Sequence, residues 1–240
     1  AKIAVVDIDP FEIEKYKEKY HYQIVTDAKV FLKNFDFQTN GINFEFTNWV
    51  EKCNNYREKY PWVSKWEHPD EDGFINSYYF MDKLNHHFKQ DQIVVTDMGT
   101  ALLSGHQVLR MKKGQRLMTS TGLGEMGYGL PAAIGASFAR DKGEVMCLNC
   151  DGGMMMNLQE LQTIVHYKLP IKIIIFINDG YLMIKHTQNA LFKGRRVGVD
   201  EKTGVTCPNF SSLATSFNMP SFQIKTWRSE EHTSELQSRY

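Results

Sequence analysis

A chain of 240 residues that is 42% hydrophobic holds enough apolar material for one large domain or two small ones. Its 28 basic residues balance 28 acidic ones, so no net field draws it to nucleic acid or to an anionic membrane. The longest apolar run, Ile173 to Ile177, is too short to span a bilayer. Cys147 and Cys150 sit three apart, but Cys147 falls inside an apparent strand, no second pair exists among Cys53 and Cys207, and no zinc spacing with histidine is present, so reduced thiols in a cytoplasmic protein are expected.

Residues 2–7 read as a buried strand ending at Asp7-Ile8-Asp9-Pro10, where Pro10 starts a polar helix from Phe11 to Tyr20. A short strand, Gln23 to Val25, is followed by Asp27, placed to cap a helix from Ala28 to Lys33. Residues 34–72 change character, with Trp49, Tyr56, Trp62 and Trp66 scattered among charges. Phe46 to Tyr60 fits one amphipathic helix with Trp49, Val50, Cys53 and Tyr56 on one face. From Gly73 a second alternation begins: helix 75–88, strand 92–96, helix 101–108, strand 116–119, helix 128–140, strand 144–148, helix 157–166 and the β-branched run 171–177. This pattern predicts an α/β fold with a parallel sheet covered by helices on both faces.

Ligands of open α/β sheets sit beyond the carboxyl ends of the strands. Three such ends carry polar or glycine residues: Asp97-Met98-Gly99-Thr100, Asn149-Cys150-Asp151-Gly152-Gly153 and Asn178-Asp179-Gly180. Asp151 and Asn178 are separated by one strand–helix–strand unit, so neighbouring strand ends would bring their oxygens together. A carboxylate, an amide oxygen and a carbonyl suit Mg²⁺, whose octahedron phosphate oxygens can complete. Gly152 and Gly153 leave N–H groups free at a helix start, where a diphosphate is favoured.

Asp151-Gly152-Gly153, the helix with Asn157-Leu158-Gln159-Glu160-Leu161, Leu169-Pro170, the buried strand and Asn178 resemble the Gly-Asp-Gly to Asn-Asn motif of thiamine diphosphate enzymes. The glycine-rich run from Thr121 to Gly135 is similar to a second signature of that family, and the resemblance, to acetolactate synthase large subunits, runs from Ala1 to Trp227. It implies a thiamine diphosphate-binding fold over residues 73–227, preceded by the end of a Rossmann-like middle domain (1–35) and a connector (36–72). Residues 228–240 read as a non-native, adapter-like tail.

The resemblance also implies roles. Asp151, Asn178 and the Gly180 carbonyl would hold Mg²⁺. Gly152 and Gly153, helped by Gly99 and Thr100, would bind the diphosphate. Gly124 and Met126 would bind the aminopyrimidine, Met126 as the apolar wedge that bends the cofactor, and Met183 would line the pocket. The implied chemistry is decarboxylation and carboligation of a 2-oxo acid such as pyruvate, as in branched-chain amino acid synthesis, with the cofactor as electron sink. No catalytic residue is expected within these residues. The family's activating glutamate comes from an amino-terminal domain, usually across a dimer interface, so a homodimer or homotetramer is expected and the fragment alone should not turn over. In acetolactate synthases FAD lies along the segments matching Asp7, Ile8, Asp27 and Ala28, while other relatives keep the fold without flavin. Surface-sugar ligases, other 2-oxo acid decarboxylases and non-catalytic modules remain alternatives.

Two departures stand out. Cys150 replaces the first glycine of Gly-Asp-Gly, and strain is expected if that turn needs positive φ. Thr187 stands where acetolactate synthases place the Trp that favours 2-oxobutyrate. Among other features, Gly122, Gly124 and Gly127 fit Gly-x-Gly-x-x-Gly, a weak dinucleotide signal alone. Met154 to Met156 read as flexible core packing, and residues 193–203 as a mobile lid or a surface loop.

Overall fold

The structure, a computed structural model, describes residues 2–15, 17–64, 69–70 and 74–227. The expectations for Ala1, Trp66, the Gly73 boundary and the tail 228–240 lie outside the described residues. The chain forms two compact units, Ala1–Lys59 and Tyr60–Tyr240.

In the first unit, β1 (Ala4–Asp7) and β2 (Tyr22–Val25) pair in parallel, with Asp7 opposite Val25. Asp9 caps α1 (Pro10–Glu14) through the Phe11 N–H, with Pro10 at the first helical position. The helix stops at Glu14, short of the expected Tyr20, and a 3-10 turn takes over at Lys17–Lys19. Only Ile13 of α1 is buried, so too little packing sustains a longer helix. Asp27 caps α2 (Ala28–Thr39), accepting from Lys29 and Val30. It runs beyond the expected Lys33, with Phe31 and Phe35 stacked at the (i, i+4) spacing. In α3 (Thr47–Lys59), the predicted aromatic face exists as a helix face, but Trp49, Val50 and Tyr56 are exposed.

The second unit opens with α4 (Ser77–Asn85), capped by the Asn76 amide. Then follow β3 (Ile93–Thr96), α5 (Thr100–Val108), β4 (Arg116–Met118), α6 (Gly129–Phe138), β5 (Val145–Cys150), α7 (Asp151–Met154), α8 (Leu161–Tyr167), β6 (Ile171–Phe176), α9 (Leu182–Leu191) and α10 (Phe210–Ser216). The four strands are all parallel in the order β4-β3-β5-β6. Alternate residues of β3 and β5 divide between two cores. Ile93, Val95, Val145 and Cys147 join Leu130 and Ile134 of α6 and Leu161 and Ile164 of α8. Val94, Leu148 and Cys150 join Met81 of α4 and Ala101 and Val108 of α5. Helices therefore cover both faces, as the near-continuous apolar strands require. No helix among the described residues is long and apolar enough to cross a membrane, and all four cysteines are free.

This strand order creates a switch point. From β3 the chain moves outward to β4, whereas β5 lies on the other side of β3 and leads to β6. The segments leaving β3 and β5 go to opposite faces, α5 on one core and α7 and α8 on the other. A crevice at the carboxyl ends of β3 and β5 is where such sheets bind ligands.

Candidate cofactor-binding site

The residues at that crevice are Asp97 to Thr100 after β3 and Asp151 to Gly153 after β5. Gly99, at φ 100°, caps α5 with a backbone that an L side chain rarely adopts. Cys150 Sγ accepts from the Ala101 N–H at 3.4 Å, so the start of α5 rests on the end of β5.

The fully buried Asp151 is surrounded by donors. Its Oδ1 accepts from its neighbour Gly152 N at 2.8 Å, and its Oδ2 accepts from Asn178 N at 2.9 Å and Gly180 N at 3.3 Å. Burial pushes its pKa up, against the pull of these N–H groups. A carboxylate has about four acceptor positions, so room for a further electrophile remains. The Asn178 Nδ2 donates to Thr100 Oγ1 at 3.3 Å, while Asn178 Oδ1 is buried with no hydrogen-bond partner. A buried amide oxygen without a donor is costly unless something electropositive meets it. Asp151 and Asn178, distant in sequence, are thus assembled into an oxygen-rich corner beside Thr100. Among the described residues no group of three or more His, Cys, Asp and Glu side chains forms a metal cluster; this corner has one carboxylate and an amide.

The glycines are explained by crowding. A Cβ on Gly152 would lie 2.6 Å from the Tyr181 ring and 3.1 Å from Met126 Cε. Met126, 36% exposed, therefore reaches across from the glycine-rich loop to the turn after β5. Gly124, at φ 64°, lies beside Met98, whose Sδ would be 3.3 Å from an added Cβ. Gly180, at φ 127°, packs under the Val199 carbonyl, which would be 2.2 Å from an added Cβ. The structure thus gathers Gly99, Thr100, Gly124, Met126, Asp151, Gly152, Gly153, Asn178 and Gly180 around the carboxyl ends of β3, β5 and β6. Met183 is half-buried in the first turn of α9, just after this loop.

Within the first unit, Asp7, Ile8, Asp27 and Ala28 lie at the carboxyl ends of the paired β1 and β2. There Asp7 Oδ1 accepts from Asp9 N at 2.8 Å, and Asp27 Oδ1 from Lys29 N at 2.8 Å. Ile8 is 69% exposed.

Several expectations change. Cys150 has φ −114° and ψ 158°, because β5 continues two residues beyond the expected Leu148. The turn needs no positive φ there, and the anticipated strain is absent. Burial pushes the thiol up to about 12, so it packs as a small apolar group. Cys150→Gly should therefore fail to stabilise the chain. A loss of about 1–2 kcal/mol in urea unfolding is expected from the lost packing and the freer unfolded backbone; a gain would restore the strain explanation. Of the three methionines only Met154 is core, while Met155 and Met156 are exposed.

Segment 193–203 is pinned. The Gln188 amide brackets Val197 at 3.0 and 3.1 Å, Tyr181 N donates to Val199 O at 2.9 Å, and Asp200 pairs with Lys185 and Arg196 at 3.6 Å each. The dinucleotide reading weakens, because residues 119–128 separate β4 from α6 where that fingerprint needs a tight strand-to-helix turn.

Four neighbours of the site were given no role from the sequence, although Asp97, Asn149 and Asn157 lie in the runs quoted from it. Tyr181 covers Gly152. Asn157 Nδ2 donates to Gly127 O at 2.6 Å. Asn149, fully buried, accepts from Cys150 N at 2.8 Å. Asp97, also fully buried, accepts from Gly129 N at 3.0 Å. Asp97 carried a signal, a carboxylate directly after a β-branched strand.

Comparison with known proteins identifies the family. The family model for the thiamine pyrophosphate enzyme C-terminal TPP binding domain matches residues 97–238; thiamine pyrophosphate is thiamine diphosphate. The chain is 31% identical over 219 residues to the acetolactate synthase isozyme 2 large subunit of Escherichia coli, covering 91% of this chain and 38% of that protein. It is 34% identical over 242 residues to the acetolactate synthase large subunit of Porphyra purpurea, covering 96% and 38%. With the chloroplastic acetolactate synthase 2 of Zea mays the identity is 30% over 240 residues, covering 97% and 37%. The chain thus spans less than two fifths of the length of these relatives. It belongs to the thiamine pyrophosphate enzyme family, with the family's C-terminal TPP binding domain as its α/β core.

Proposed function

We propose that this chain is the part of a 2-oxo acid carboligase of the acetolactate synthase type that holds the diphosphate of thiamine diphosphate and its Mg²⁺. The observation that carries this reading is the buried, partnerless Asn178 Oδ1 next to the thrice-bonded Asp151 carboxylate. That donor set suits Mg²⁺, which takes few protein oxygens and shares phosphate oxygens. Asp151, Asn178 and the Gly180 carbonyl would hold the metal. The N–H groups of Gly153, Gly99 and Thr100 would donate to the diphosphate, and Gly152, whose own N–H donates to Asp151 Oδ1, would let it approach the backbone closely. Gly124 and Met126 would seat the aminopyrimidine, and Met183 would line the pocket. Bound there, the cofactor supplies an electron sink for decarboxylation. The chain's own part is to neutralise the diphosphate, fix its geometry and surround the reacting centre with apolar side chains.

The likeness to acetolactate synthases supports pyruvate as donor, and the lengths of those relatives support a larger active protein in which other segments supply the activating glutamate within a homodimer or homotetramer. Free cysteines support a cytoplasmic setting. A flavin at the edge of β1 and β2 has the weakest support, because Asp7 and Asp27 already bind local N–H groups.

The test is pyruvate turnover by the full-length protein supplied with thiamine diphosphate and Mg²⁺, following CO₂ and acetolactate together. Both products are expected. CO₂ without acetolactate would identify a decarboxylase, and cofactor binding without CO₂ a non-catalytic module.

A further inference from the structure

Asp97 has no role in the reading above, yet it is buried as completely as Asp151. It is 0% exposed. Its Oδ1 accepts from Gly129 N, at the start of α6, from 32 residues earlier in the chain. Its Oδ2 is buried with no hydrogen-bond partner. That oxygen lies 1.6 Å from where a Cβ on Gly153 would stand, and Asn149 Oδ1 lies 3.0 Å from the same point. On the other side, a Cβ on Gly129 would lie 2.8 Å from Asp97 Cβ. The carboxylate is therefore wedged between glycines of two different helices. Gly153 lies in α7, directly after β5, and Gly129 opens α6, directly after the segment that carries Gly124 and Met126.

A helix cap alone does not account for this. A cap needs one oxygen, and Ser or Asn supplies it without burying a carboxylate. Isolated buried carboxylates are expensive, and burial pushes Asp97 up from its ordinary range.

We propose that Asp97 is a positioning residue that fixes the separation of the two arms of the cofactor cradle, tying the Gly127–Gly129 turn through Oδ1 and bracing Gly153 through Oδ2. The inference rests on the thiamine diphosphate reading for its ligand. The braced geometry is in the chain itself.

Two ligands separate positioning from folding. Inorganic pyrophosphate with Mg²⁺ touches only the diphosphate arm, whereas thiamine diphosphate needs both arms. In calorimetric titrations of the full chain, Asp97→Ala should weaken thiamine diphosphate by about tenfold or more while changing Mg²⁺-pyrophosphate by less than about threefold. Asp97→Asn, which keeps the acceptor for Gly129, should recover most of the lost affinity. Equal losses for both ligands, or no loss for either, would overturn the proposal. A ligand-free readout stands beside this one. Amide exchange at residues 127–129 should quicken by about tenfold in Asp97→Ala but not in Asp97→Asn. Unchanged exchange would overturn the tie between the arms. Quickened exchange in a chain whose wild type binds neither ligand would uphold the tie and reject the cofactor reading alone.

Discussion

Gly153→Ala is expected to be among the most damaging single-methyl additions in the chain. The new Cβ would fall 1.6 Å from Asp97 Oδ2 and 3.0 Å from Asn149 Oδ1. Asp97 cannot swing aside, because its other oxygen holds Gly129 N and the whole side chain is buried. Overpacking of this kind costs 1–3 kcal/mol and occasionally more; about 3 kcal/mol is expected here. The same change made in an Asp97→Ala background should cost far less, because the obstructing oxygen is gone. A double-mutant cycle in urea should therefore show a coupling of about 1–3 kcal/mol, within the range for residues in contact. Simple additivity would mean that the two residues do not touch.

Gly180→Ala is the second large effect. Position 180 combines φ 127° with a Val199 carbonyl 2.2 Å from any added Cβ. Backbone strain of about 1–3 kcal/mol adds to the clash. The Tyr181 to Val199 hydrogen bond and the Gly180 to Asp151 hydrogen bond both lie in the path of any relaxation. Thermal unfolding should begin several degrees earlier, and the mutation should displace Val199, which is now fully buried. A chain that tolerates alanine at 180 with an unchanged midpoint would show that the Val199 segment yields freely, contrary to its anchoring by Gln188 and Asp200.

The sequence made the parallel sheet legible because β3, β5 and β6 are runs of β-branched and apolar residues, and such runs are read correctly without knowledge of their partners. The pairing of Asp151 with Asn178 was legible for a similar reason. One strand–helix–strand unit separates them, and that unit returns the chain to a neighbouring strand end. What was hidden depended on contacts far apart in the chain. Asp97 contradicts the rule that carboxylates stay in water, and only the positions of Gly129 and Gly153 explain it. Cys150 was expected to strain a turn, because the extra residues of β5 are set by pairing with Ile175 and Phe176. The short α7 has only four residues, too few to show a period. α9, which buries none of its residues fully, also went unassigned.

The account stands or falls on the corner formed by Asp151 and Asn178. Its most direct test is calorimetric titration of thiamine diphosphate into the chain, with Mg²⁺ and with a chelator in its place, for wild type and Asp151→Ala. Removal of the carboxylate would leave three backbone N–H groups without their acceptor, so circular dichroism must first show that the variant is folded. The account predicts binding by the wild type only with Mg²⁺, and a loss of at least about a hundredfold in the folded variant. Equal binding by a folded Asp151→Ala, or wild-type binding indifferent to the metal, would contradict it.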